Sequence, residues 1–335
     1  MDRPPRTAVS QGFDFTDPPA LVVHADWSIN PDKRWMASAE FTGDHYLVQP
    51  TELVGDLSNF LNRMVNWAGT GGCVLIGLDY PIGLPYTYAQ LAGISNFCSA
   101  LSVFGKDEWR RFYDVAESAD QISLLRPFYP YRPGGTRRQF LLNKLGIGSI
   151  DELLRRCEKA PPLQRPAAPL FWTLGAQQVG KAAINGWQNV LAPGLKDPNL
   201  DLAIWPFSGR MAELVRPGKV IVAETYPAEF THQLGLVSPH KRFSKRRQSD
   251  RVFAAERLIK QAVTTGIKIN PELERSLVEG FGLSPTGEDR FDAVVGLVGM
   301  LQIISGVRYF SEPETEKIRE IEGWIFGLAS EKIIV

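Results

Sequence analysis

Cysteine is scarce in this chain: three residues among 335, Cys73, Cys98 and Cys157, far apart and without a CxxC pair. That argues against a disulfide framework and a structural zinc site, and it makes a reducing, cytoplasmic setting the expectation. An excess of charge is also missing, since Lys plus Arg equals Asp plus Glu at 37 each. No global field draws the chain to nucleic acid or membrane, so any polyanion site must be a local patch. No apolar run approaches the roughly 18 residues that span a bilayer, so no membrane partner is expected. Residues 1–19 are polar and proline-containing rather than signal-like and read as a loose tail. No GxSxG string occurs, and the cysteines have no readable base partner, which leaves no sign of a nucleophilic triad. What is present is a globular composition, 44% hydrophobic and 22% charged, long enough for one large domain or two ordinary ones.

Three apolar runs end in a carboxylate. Leu21 to Asp26 is followed by a turn at Trp27, Ser28, Asn30 and Pro31. Gly72 to Asp79 is broken at once by Pro81, Gly83 and Pro85, and Lys219 to Glu224 is closed by Tyr226 and Pro227. This is how a buried strand delivers one charged group to a sheet edge, at a cost unless that group is solvated, hydrogen-bonded or bound to a cation. Lys33 to Phe41 and His45 to Val48 read as a hairpin continuing from the first run, and Leu53 to Ala68 as an amphipathic helix stopped by Gly69. From Tyr86 to about Pro217 short helical pieces broken by proline and glycine read as an insertion between core elements. A helix is expected over Ser244 to Val263.

A long apolar helix runs to about Ile304 from Pro285-Thr286-Gly287-Glu288-Asp289, with Thr286 and Asp289 an imperfect capping box. At about 100° per residue, Asp289, Asp292, Gly296, Gly299 and Ile303 fall within one arc of roughly 80°. Two glycines on one stripe, each costing about 1 kcal/mol relative to alanine, suggest a close approach of this helix to the sheet. That approach would carry Asp289 and Asp292 to the strand ends. The bland alternative is that both favour the positive end of the helix.

The order of elements and the strings His24-Ala25-Asp26, Leu78-Asp79-Tyr80-Pro81-Ile82-Gly83-Leu84-Pro85, Ala223-Glu224-Thr225-Tyr226-Pro227 and Asp289-Arg290-Phe291-Asp292-Ala293 resemble an uncharacterised family of predicted ribonuclease H-like nucleases. The resemblance covers the core, 20–85 and 218–306, and leaves the mainly helical insertion 86–217 and a C-terminal helical extension 307–335 outside it. It implies an α/β fold with a five-stranded mixed sheet flanked by helices, its first and fourth strands adjacent. It further implies catalytic Asp26, Asp79, Glu224, Asp289 and Asp292, with Asp26, Asp79, Asp292 and Glu224 binding Mg²⁺ or Mn²⁺. Where another Glu is expected after Pro227 the chain has Ala228, and Glu229 stands one residue late.

Phosphodiester hydrolysis needs a deprotonated water and relief of charge on the leaving oxygen. Two hard cations about 4 Å apart supply both and prefer carboxylate oxygens to His or Cys. The run His240 to Arg247 with Arg251 is the dense basic patch, and Lys241, Arg242, Lys245, Arg246, Arg247 and Arg251 are candidates to hold a nucleic-acid backbone, with a solvated helix entry as the alternative. Arg126, Arg132, Arg137 and Arg138 with Phe128, Tyr129 and Tyr131 form a second candidate surface, against plain loop packing. Gly175 to Ala182 nearly matches a P-loop, but Ala182 stands where Mg²⁺ needs a hydroxyl. A kinase-like phosphotransferase of the actin-like branch and a catalytically silent scaffold on the same fold stay as rivals.

Overall fold

The computed structural model describes residues 17–159, 168–174, 179–237 and 243–328. Leu21–Asp26 (β1), Val74–Leu78 (β5) and Lys219–Glu224 (β7) are buried nearly throughout because both faces of the sheet are covered. Trp35–Phe41 (β2) and Tyr46–Val48 (β3) form the expected hairpin, and Glu52–Leu53 (β4), Asp201–Ile204 (β6) and Lys268–Ile269 (β8) are short additions. The result is an α/β protein with one eight-stranded mixed sheet in the order β6-β7-β5-β1-β2-β3-β8, with β4 also paired to β2. β1 is antiparallel to β2 and parallel to β5, and β5 is parallel to β7.

Side-chain alternation along the central strands sorts residues between two cores. Leu21, Val23, Ala25, Val74, Ile76, Leu78, Val220 and Val222 face the insertion, whose large aromatic residues continue the same apolar cluster. Val22, Leu75, Ile221 and Ala223 face a layer built from the helices Pro227–Gln233, Gln248–Thr264 and Gly287–Ile304. The insertion is therefore packed on the sheet rather than beside it. It also lends the sheet β6, a strand within a segment expected to be mainly helical.

Five strands were expected and eight are found among the described residues; the three extra ones are two to four residues long and carry little periodicity. The helix expected from Leu53 begins only at Phe60. Leu53 pairs with Trp35, Gly55 turns the chain at φ +72°, and Asp56 caps the Ser58 N–H at 3.0 Å, so the start of that run is spent on a strand and an Asx turn. Thr286 makes no capping bond; its hydroxyl pairs with that of Ser284 at 2.9 Å. Of the expected C-terminal helical extension, the described residues carry one short helical segment, Ile318–Glu322, and then a bridge from Ile325 to Glu224, and 329–335 lie outside the described residues. No described helix is long and apolar enough to cross a membrane.

Candidate functional site

The register across β1, β5 and β7 decides which strand-end groups can meet. Ala25 pairs with Leu78, and Leu78 with Glu224. The next row along is Asp26, Asp79 and Thr225, tied by Asp79 N–H to Ala25 O at 3.1 Å and Thr225 N–H to Leu78 O at 3.0 Å. Asp26 shares the face of Val22 and His24, and Asp79 shares that of Leu75 and Gly77. Both point toward the helix Gly287–Ile304, which lies across this face, with Met300 against Gly77 and Gly296 against the His24 ring. A Cβ on Gly296 would come within 2.2 Å of His24 Nε2, and one on Gly299 within 2.3 Å of Phe230. The close approach expected from the glycine stripe is thus made to a sheet side chain at Gly296 and to a neighbouring helix at Gly299.

That approach delivers Asp292, which is 3% exposed, to Asp26 and Asp79. Burial first, then the charges of Asp292 and Asp79, push the Asp26 carboxyl well above its usual range. Asp79 is raised to about 7, chiefly by burial, and is hydrogen-bonded to Asp26. Both shifts run upward, with burial as the first cause and the crowding of like charges adding to it. Asp292 is also raised, by burial, against the pull of Lys245. Asp289 lies at the rim, half-buried, with Oδ2 lacking a hydrogen-bond partner, and is raised to about 6 by burial and by Glu288.

Glu224 does not join this group. It shares the parity of Val220 and Val222 and points to the insertion. There Arg155 Nη1 and Nη2 each donate to one of its oxygens at 2.6 Å, and the Ile82 N–H donates to Oε2 at 2.7 Å. Its charge still reaches Asp79 and helps raise it, but its oxygens are committed to a buried fork, which corrects its assignment as a metal ligand. Thr225 takes the place in the row that sequence reasoning gave to Glu224.

The basic segment is also rearranged. The Lys245 ammonium binds the Asp292 carboxylate and lies in the field of Asp26 and Asp79, so its charge enters the acidic group while the side chain stays half-exposed. Arg251 is 2% exposed and donates to the carbonyls of Gly280, Lys245 and Gly282 at 2.6 to 2.8 Å, so it is a structural brace and not a phosphate contact. Arg247 is bound to Asp250 at 2.6 Å, and Arg246, 79% exposed, lies 3.6 Å from Glu288. Lys241 and Arg242 lie outside the described residues, as does Gly175–Gln178 of the P-loop-like string. Gly180 of that string is packed inside a helix against the Leu170 carbonyl.

In the second candidate surface, Arg126, Phe128 and Tyr129 are buried, and Arg126 donates to the carbonyls of Asp114 and Val115. Only Tyr131, Arg132, Arg137 and Arg138 of that group face solvent.

No family model, no curated protein and no solved structure matches this chain.

The donor set Asp26, Asp79 and Asp292 is all carboxylate oxygen, the chemistry of a hard divalent ion. His24 is not part of it, since it is fully buried beneath Gly296 and burial lowers it to about 3, keeping the ring neutral. Among the described residues no three His, Cys, Asp or Glu side chains already converge tightly enough to hold one ion. The positive charge inside the group is the lysine's. On the other side of the same strand ends, Asn185 of the insertion accepts from Trp27 Nε1 at 3.1 Å and from Arg34 at 3.3 Å, and so ties the insertion to the rim.

Proposed function

We propose that this protein is a divalent-metal-dependent phosphodiesterase acting on nucleic acid, built on a ribonuclease H-like core. The observation that carries the proposal is the meeting of Asp26, Asp79 and Asp292, from two adjacent parallel strands and one crossing helix, with carboxyl groups raised chiefly by burial. The order β7-β5-β1-β2-β3 inside the larger sheet, with β2 antiparallel to its neighbours, supports the core assignment. Mg²⁺ or Mn²⁺ held by Asp26, Asp79 and Asp292 would supply a Lewis acid and an activated water. Asp289, half-buried at the rim and outside that ligand set, would orient the attacking water. Arg246 is the exposed cation nearest in sequence to Lys245 that could meet a phosphate.

The test is cleavage of single-stranded, duplex, hybrid and branched nucleic acids with Mg²⁺ or Mn²⁺. Wild type should cut at least one of them, and Asp26→Asn, Asp79→Asn and Asp292→Asn should each lower the rate by about a hundredfold or more. Absence of both metal binding at millimolar concentration and cleavage would leave the silent scaffold, and ATP turnover would favour the phosphotransferase branch.

A further inference from the structure

Lys245 is the basic residue of the described 243–251 segment whose cation enters the acidic group. Its neighbours Arg246 and Arg247 have their own acids, Glu288 and Asp250. Its ammonium is bound to Asp292 and held by the charges of Asp26 and Asp79, so three carboxylates share one internal cation. The backbone beneath it is fixed, because Arg251, itself buried, donates to the Lys245 carbonyl at 2.6 Å. The side chain, by contrast, is 47% exposed and can swing to solvent about its own torsions without moving the chain.

We infer that Lys245 is the resident cation of this site and a built-in competitor of the divalent ion, leaving Asp292 for solvent when the ion enters. The inference rests on the metal-dependent assignment of Asp26, Asp79 and Asp292. Its physical basis is that an ammonium and a divalent ion repel each other across the few ångströms separating the same three carboxylates. The lysine offsets the repulsion among the acids in the metal-free protein and raises the ion concentration needed to fill the site. Loading then depends on how firmly Lys245 is held.

Calorimetric titration with Mn²⁺ alone tests this on the full chain, comparing wild type, Lys245→Met and Lys245→Arg. Lys245→Met keeps the stem and removes the charge, and should bind Mn²⁺ about tenfold tighter or more, whereas Lys245→Arg should bind no tighter than wild type. In the absence of metal Lys245→Met should melt lower than wild type and regain the difference with Mn²⁺. If wild type binds Mn²⁺ and Lys245→Met binds it equally or more weakly, the competition is overturned while the metal assignment stands. If neither protein binds Mn²⁺ at millimolar concentration, the metal assignment fails and the inference with it. Should Lys245→Met not fold, wild type labelled with ¹⁵N-lysine decides: Mg²⁺ should move the Lys245 Nζ resonance to that of a solvated lysine, and an unmoved resonance in the metal-bound protein overturns the exchange.

Discussion

At the scale of single residues the acidic group is a place where stability has been given up. The folded pKa of Asp79, about 7, lies above its ordinary value of 3.8 because burial and the neighbouring acids disfavour the carboxylate. A group shifted in this direction costs stability when ionised: the cost is full above about pH 7 and disappears as the pH falls toward 4. Asp79→Asn should therefore stabilise the metal-free protein at pH 8 by about 1 to 2 kcal/mol, a figure discounted because Asp79 is partly exposed. The gain should shrink progressively below pH 7 in urea melts at a series of pH values, and a gain that is constant with pH would contradict the crowding. The same variant is expected to lose cleavage, so stability and activity move in opposite directions. What the sequence could say of this group was mixed. Asp26 and Asp79 were legible as carboxylates ending apolar runs. Glu224 matched that description too, yet its parity with Val220 and Val222 already set it on the opposite face, and only the register with Leu78 makes the consequence plain. Lys245 was legible as basic but not as inward-pointing, because a run of like charges looks the same whether its members meet solvent or an acid 47 positions further along the chain.

At the scale of elements the crossing of the Gly287–Ile304 helix over β1 sets where Asp292 lies. Gly296 is the contact that permits it, since any Cβ there would enter the His24 ring. Gly296→Ala gains helix propensity, but it must push the ring or the helix aside, and overpacking of a closed interface costs more than propensity returns. A net loss of about 1 to 3 kcal/mol is expected, with Mn²⁺ affinity weakened because Asp292 moves with its helix. Combining Gly296→Ala with His24→Ala removes the obstacle. The double-mutant cycle should then show a coupling above about 1 kcal/mol, whereas additive losses would mean that the helix is positioned by something other than this contact. The glycine stripe was visible in the sequence at helical spacing, and so was the sharing of one arc by Asp289 and Asp292. The partner of each glycine was not, because one-dimensional periodicity gives a face but not what covers it. Short elements such as β4 and β8 left no periodic signal, and the residues before Phe60 looked helical because a strand and a turn can carry apolar residues at the same spacing.

At the scale of the whole molecule the turn Pro81-Ile82-Gly83-Leu84-Pro85 is where three parts of the chain are joined. Trp187 Nε1 of the insertion donates to Pro81 O at 2.8 Å, and Leu84 N–H donates to Ile321 O of the C-terminal segment at 2.9 Å. Gly83, at φ +136°, lies so close to the Glu322 carbonyl that a Cβ would come within 2.0 Å of its oxygen. Arg155 completes the junction: fully buried, it donates to Glu224, to Glu158 and to the carbonyls of Ile82 and Glu322. One guanidinium thus binds insertion, strand end and C-terminal segment directly behind Asp79. Removing one partner of a buried ionic group strands the others, so Arg155→Met, which leaves two carboxylates without their cation, should cost about 3 to 5 kcal/mol. Adding Glu224→Gln and Glu158→Gln to that variant removes the stranded charges and should restore part of the loss. Limited proteolysis should find the insertion cut faster in Arg155→Met than in wild type, and slower again in the triple variant. If Arg155→Met instead melts within about 0.5 kcal/mol of wild type, the junction is held by apolar packing alone. The insertion would then be fixed to the sheet by its aromatic cluster, with the Arg155 fork on Glu224 adding nothing to its hold.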